Sequence, residues 1–407
     1  MSSSKLVCSS RGRSMKPFRL LLLAPLLLVG AAQLRAQAGE SDLRLFGYFQ
    51  NHLFIQRTTF DHPSMQELDH YENSFGVQQL NVFLQRDLAR RWTAFVNFEL
   101  INSYSSLRRW GAYNLEEAWV KYRFGRKLTV KLGQHIPPFN HLNEIKNRTP
   151  LLPYIVRPLV YETSFSEFIA TEDYAPGRAF VQAYGFLPHG ETKLDYALYW
   201  GNGPDISTAD FGSEYDQTGV DTTANFLVGG RLGLRHGELK IGLSATYEQV
   251  KSLHGLEPQF SQPPDALDDV PRWRWGVDLS FLWRNFSFEG EVIHVGFDDD
   301  VPLLKVDRDF FYGTLGRYFT EEFFAYVSYQ ATEEDFTGRD PGSGDFYVTS
   351  LDINLPEIGA AYRINDRVTL KAQYAPVGID IGRSDIADYD LEDNRADYLA
   401  LAVSVIF

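Results

Sequence analysis

From Leu43 onward the chain alternates apolar and polar side chains with period two. Trp92, Ala94, Val96, Phe98 and Leu100 alternate with Thr93, Phe95, Asn97 and Glu99. Trp273, Trp275, Val277, Leu279, Phe281 and Trp283 alternate with Arg274, Gly276, Asp278, Ser280 and Leu282. The same holds around Phe323 to Gln330 and again from Tyr398 to Phe407. A strand turns successive side chains to opposite faces, so each run predicts a strand with one face suited to lipid or core. Sixteen such segments are predicted: 43–55, 75–87, 92–102, 114–124, 127–134, 178–187, 192–200, 225–235, 238–250, 271–283, 286–296, 309–319, 323–331, 355–364, 367–375 and 396–407.

Their joins alternate in length. Short ones, such as Gly125-Arg126, His236-Gly237, Arg284-Asn285 and Asn365-Asp366, take turns with long ones at 56–74, 103–113, 135–177, 201–224, 251–270, 297–308, 332–354 and 376–395. Tight turns at one rim and long extracellular loops at the other are what a transmembrane antiparallel β-barrel predicts. Closure also satisfies every backbone polar group in lipid, because it removes sheet edges. A soluble sandwich or propeller would alternate as well, but it does not predict this rhythm of joins. The expected fold is all-β, a single barrel domain.

The start of the chain reads as an address. Arg11, Arg13, Lys16 and Arg19 precede the apolar run Leu20 to Val29, and Ala36-Gln37-Ala38 supplies small residues for cleavage. Residues 1–38 are therefore expected to be a cleaved signal peptide, with Met1 or Met15 as the true start, and 39–407 the mature barrel. The apolar run is short for a spanning helix, which needs about 20 apolar residues. Cleavage removes the lone Cys8, so disulfides, thiol nucleophiles and cysteine metal sites are excluded. It also removes six basic residues and no acid, taking the formal net charge from −14 to −20. So acidic an exported chain is a poor binder of nucleic acid through bulk charge.

The terminal segment Tyr398-Leu-Ala-Leu-Ala-Val-Ser-Val-Ile-Phe407 resembles the insertion signal of outer-membrane proteins, which ends in an aromatic residue. That resemblance implies engagement of the barrel-assembly machinery and a place in the outer membrane of a Gram-negative bacterium, among lipid and lipopolysaccharide. More specifically, the chain resembles the phosphate-selective porin O/P family of trimeric-type porins. The resemblance is carried by Glu117-Ala-Trp-Val-Lys-Tyr-Arg-Phe124, Leu128-Thr-Val-Lys-Leu-Gly-Gln134 with Pro137-Pro-Phe139, Trp200-Gly-Asn-Gly203 with Asn225 to Arg231, and Gly276-Val-Asp-Leu279 with Phe286 to Glu291. These motifs are loose and shared among several porin families. The family implies sixteen strands, a homotrimer and a constricting third loop, and here the third long loop is the longest.

Enzyme chemistry finds little support. The nearest approach to a nucleophile elbow, Gly242-Leu-Ser244-Ala-Thr246, lacks the second glycine. His135 and His141 share a loop without a carboxylate at ligand spacing, so neither a metal nor another cofactor is expected. Glu289 and Glu291 stand two apart on one face, which suits paired-carboxylate catalysis, but hydrated lumen-facing acids are the more economical reading.

If the apolar phase meets lipid, the opposite phase collects the pore lining. It holds Lys121, Arg123, Lys127, Lys131, Arg178, Arg231, Arg235, Lys240, Arg274, Arg317, Arg363 and Lys371 against Glu99, Glu117, Asp195, Glu248, Asp278, Glu289, Glu291 and Glu357. Twelve basic residues against eight acidic ones favour anions, because the local field and not net charge selects ions. His141, Lys146, Arg148 and Arg157 are the candidate basic residues of the constriction loop, stiffened by Pro137, Pro138, Pro150, Pro153 and Pro158. For each basic residue, a salt bridge to a lumen acid or pinning of the loop is an equal alternative. The expected function is passive diffusion of small hydrophilic solutes with an anion or phosphate preference. The alternative is a non-channel barrel with an adhesive or structural role.

Overall fold

The structure, a computed structural model, describes residues 43–62, 65–101, 112–162, 174–203, 225–250, 269–297, 307–339, 346–383 and 390–407. The expected signal peptide lies outside the described residues. Seventeen strands form one antiparallel sheet. They are β1 (Arg44–His62), β2 (Met65–Ala89), β3 (Trp92–Ile101), β4 (Ala112–Arg123), β5 (Thr129–His135), β6 (Ala179–His189), β7 (Thr192–Gly201), β8 (Leu227–His236), β9 (Leu239–Val250), β10 (Val270–Trp283), β11 (Phe286–Phe297), β12 (Asp307–Tyr318), β13 (Phe323–Arg339), β14 (Phe346–Asn365), β15 (Val368–Ala375), β16 (Gly378–Arg383) and β17 (Asp390–Ile406).

The sheet closes because β1 pairs with β2 on one side and β17 on the other, from Tyr48↔Ile406 to Thr59↔Arg395. Phe407 completes the seam through reciprocal backbone hydrogen bonds with Gly47, at 2.9 and 3.0 Å. The barrel has sixteen staves, since β15 and β16 lie end to end between β14 and β17. Pro376 separates them: it has no N–H to give the ladder, and pairing resumes two residues later.

Three of the expected long loops are partly strand. β1 and β2 continue through 56–74, β13 and β14 run deep into 332–354, and β16 and β17 occupy much of 376–395. Above the lipid a hairpin arm no longer needs an apolar face, so the period that marks a strand disappears while the ladder continues.

Along β10 the two phases separate cleanly. Trp273, Trp275 and Val277 are 38–39% exposed on the outside, while Arg272, Arg274 and Asp278 are at most 1% exposed within. The continuous apolar exterior and the closed ladder make this a membrane-spanning barrel. On β11, β12 and β14 part of the inward phase is apolar as well, with Ile293, Val295, Phe297, Phe310, Ile353 and Leu355 all buried. The reason is the third loop, residues 136–178, which packs Phe139, Leu142, Ile155, Val156, Leu159, Val160 and Tyr161 against that wall. Each such side chain contributes about 1.5–3 kcal/mol relative to leaving it in water.

Candidate functional site

The third loop folds inward by local rules. It leaves β5 at a bulge where Gly133 has φ of 112° and its α-carbon approaches the Ala118 carbonyl, a place where a side chain would collide. Asn140, at φ of 52°, then turns the chain in the left-handed conformation that Asn tolerates. This aims the successive N–H groups of His141 and Leu142 at one oxygen of Glu291, at 2.9 and 2.7 Å. Asn140 fits because position 276 is glycine: a Cβ there would stand 2.5 Å from its side-chain amide.

From there the loop crosses the lumen and is pinned on the far side. Tyr48 and Gln79 donate to the Asn147 carbonyl at 2.6 and 2.5 Å, and Asn147 donates to Glu99 at 3.2 Å. Lys371 donates to Gln50, Thr149, Pro150 and Tyr154 oxygens at 2.8–3.4 Å. Gln373 accepts from the N–H groups of Ile155 and Val156 at 2.6 and 2.9 Å. Gln330 accepts from Leu159 N–H, while the hydroxyls of Tyr161 and Tyr174 donate to Glu291 and Glu334. Burial beside Glu291 pushes the Tyr161 hydroxyl well above its ordinary pKa, so it remains a donor.

A sector of wall from β4 to β9 takes less of this packing, with Ser244 on β9 accepting from the Asn140 N–H at 2.8 Å. Lys121, Lys131, Tyr184, Asp195, Arg231, Arg235 and Lys240 line it, facing His141, Glu144 and Arg148 on the loop. A cavity of about 200 Å³ sits here among Asn140, His141, Glu144, Asp195, Arg231, Arg235 and Lys240. Arg231 pairs with Asp278 at 2.7 Å and Asp195 at 3.3 Å, and Arg235 pairs with Asp195 at 2.7 Å. Lys121, Lys131 and Lys240 have no ion pair among the described residues. Glu144 lies near enough to Lys131, Glu117 and Arg231 to couple with each electrostatically. Burial holds the His141 imidazole below its ordinary pKa; Lys240, Arg231 and Arg235 add to the effect and Asp278 opposes it.

The residues singled out from the sequence therefore divide. Lys121, Lys131, Glu117, Arg231, Asp278, His141 and Arg148 border the clear sector. Arg123 and Lys127 do not: Arg123 ends β4, and Lys127 lies in the turn before β5, its carbonyl accepting from Tyr196. Arg363 is also at the short-turn rim, donating to the Glu321 carbonyl at 2.7 Å. Arg317 is on the opposite face from the one expected. It pairs in register with Ala325 among outward residues and lies over Phe286 and Phe319 at 5.1 and 5.0 Å. It shares its phase with the outward Phe311 and Leu315; near the membrane surface an arginine keeps its stem in the apolar band and its head in water, so its charge does not place it in the pore.

Arg274 is buried against Glu248 at 2.5 Å, with Arg272 beside it at 2.7 Å. Lys371, Glu99, Glu289 and Glu291 hold the loop, Glu289 by accepting from the Tyr154 hydroxyl. Arg157 is buried and ties the loop to itself through Glu162 and the Lys146 carbonyl, and Arg178 is half-buried just before β6.

Several holding residues escaped sequence reasoning. Gln50, Gln330 and Gln373 stand on the inward phase but carry no charge to draw notice. Gln78 and Glu116 stand on no regular phase at all. Each is the extra residue of a β-bulge, between Gln50/Asn51 and Asn97/Phe98 of the partner strand. The bulge turns two neighbours inward together, so Gln78 reaches the Ile155 carbonyl at 2.7 Å and Glu116 accepts from Asn147 at 3.0 Å.

No protein-family model matches the chain, and no curated protein sequence does either. Solved structures do match. An anion-selective porin from Comamonas acidovorans is 12% identical, with 90% of this chain and 100% of that one covered and a TM-score of 0.56. The outer membrane channel DcaP of Acinetobacter baumannii is 13% identical, with 90% and 97% covered and a TM-score of 0.54. The trimer form of OmpT, an outer membrane protein of Vibrio cholerae, is 9% identical, with 91% and 100% covered and a TM-score of 0.51. The shared feature is the fold: a Gram-negative outer-membrane β-barrel of the porin type.

Proposed function

We propose that the chain is a passive outer-membrane channel for small hydrophilic solutes, preferring anions and phosphate among them. The observation that carries this reading is the set of lysines without an ion pair among the described residues, Lys121, Lys131 and Lys240, on the wall sector from β4 to β9. In a narrow passage such cations raise the local concentration of anions, whatever the charge of the loops outside. No catalytic step is part of this reading, since Glu289 and Glu291 already bind the loop. Residues 1–38 serve as the cleaved leader and Phe407 as the recognition end for barrel assembly. Three copies form the working unit, set among lipid and lipopolysaccharide.

Reversal potentials in planar bilayers under a potassium chloride gradient test the reading. Anion selectivity is expected; cation selectivity sinks the preference. Absence of conductance would favour a second reading, a sealed barrel with a structural or adhesive role. The breadth of loop packing, which reaches Gln79 on β2, Gln373 on β15 and Glu291 on β11, is what speaks for it.

A further inference from the structure

Porin lumens are lined by polar side chains, yet the inward phase of β1 to β4 carries a run of aromatic rings. Phe46 stacks on Phe83 with centroids 5.1 Å apart, Phe83 on Phe95 at 5.6 Å, and Phe95 on Trp119 at 4.9 Å. All three contacts are near-parallel, with interplanar angles of 24–27°. The row follows the register: Phe46 opposes Phe83 directly, and Phe95 opposes Trp119. Phe83 is buried beneath its neighbours, but Phe46 is 38% exposed and Phe95 and Trp119 are half-buried.

The row ends in charge. The Lys121 and Lys131 ammonium groups lie 5.2 and 5.1 Å from the Trp119 ring, and Lys131 lies 5.7 Å from Tyr184. Neither lysine has an ion pair among the described residues. Apolar ring surface beside cations that no described acid pairs matches a solute of matching make-up: a flat apolar face for the rings and an anionic group for the lysines.

We infer that the Phe46–Phe83–Phe95–Trp119 row with Lys121 and Lys131 is a binding track for small aromatic carboxylates. The inference deepens the channel reading, and its test keeps the two apart. Calorimetric titration of benzoate, benzamide and acetate into the folded barrel in detergent requires no conductance. Benzoate is expected to bind more tightly than either of the others, since only it engages rings and lysines together. Trp119→Leu should weaken benzoate binding by roughly two- to tenfold, the worth of one aromatic contact. Lys131→Gln should weaken benzoate by a similar factor and leave benzamide unchanged. A change of gel migration on boiling like that of the parent confirms that each variant still folds. Equal affinities for benzoate and acetate, or a Trp119→Leu barrel that binds benzoate as before, would overturn the inference. Benzoate binding in a barrel that passes no chloride would sink the channel reading and leave the track standing.

Discussion

The two sides of the lumen obey one rule of alternation and arrive at opposite interiors. From β10 to β17 many inward residues are aliphatic chains, tyrosines and amides, the charged ones among them, such as Glu291 and Lys371, hold the third loop, and the loop covers this wall: Ile293, Val295, Leu355 and Tyr398 are at most 1% exposed. From β4 to β9 the inward residues include Lys121, Lys131, Arg231, Arg235 and Lys240, and the loop turns Glu144 toward them. Period two says which way a side chain points, and lipid enforces it on the outer face alone. What meets the inward side chain is decided by the third loop, whose own apolar residues choose the apolar wall.

The largest break of this contrast is expected from Lys371→Met. Its ammonium serves four oxygens under the loop. Without it the Pro150 and Tyr154 carbonyls lose this donor, while Gln50 keeps Ser404 and the Thr149 carbonyl keeps the Leu152 N–H; the cost is about 3 kcal/mol. Loosening of the loop on the sealed side should raise single-channel conductance several-fold. Unchanged conductance would mean that the apolar packing alone holds the loop.

Gln373→Ala removes a neutral clasp from the Ile155 and Val156 backbone. The expected cost is about 1–2 kcal/mol, visible as flickering between two conductance levels more than as a new steady level. A steady trace like that of the parent would assign the clasp to assembly and not to the folded channel.

What could be read in advance divides along the same line. All sixteen staves, the closing strand ending at Phe407 and the inward third loop were legible, because lipid demands period two and because loop lengths alternate. The clear sector was legible in part, through Lys121, Lys131 and Arg231. The sealed side was not. Ile353 and Leu355 look like any strand residues until the loop is known to cover them, and nothing local marks the bulges at Gln78 and Glu116. Arg317 shows the converse failure, in which a charged residue was assigned inward for its charge alone.

On the clear side, Lys131→Gln should lower the anion-to-cation permeability ratio by roughly two- to fivefold, the energy of one modest charge interaction. The loop should stay in place, so conductance changes little. A similar ratio in parent and variant would move the selecting charges elsewhere, toward Arg235 and Lys240.

The smallest effect is expected at Arg317, and it sharpens the contrast most. Arg317 and Lys131 are both basic strand residues that sequence reasoning placed in the pore, but the register puts Arg317 against Phe286 on the outer face. Arg317→Leu should therefore leave the reversal potential where it is. Near the membrane surface, exchanging the cation for an apolar side chain changes stability by about 0–1 kcal/mol, which a urea titration of the folded barrel in vesicles can read. A shift in selectivity comparable to that of Lys131→Gln would place Arg317 in the ion path and break the assignment of faces for β12 and, through its register, for β11 and β13.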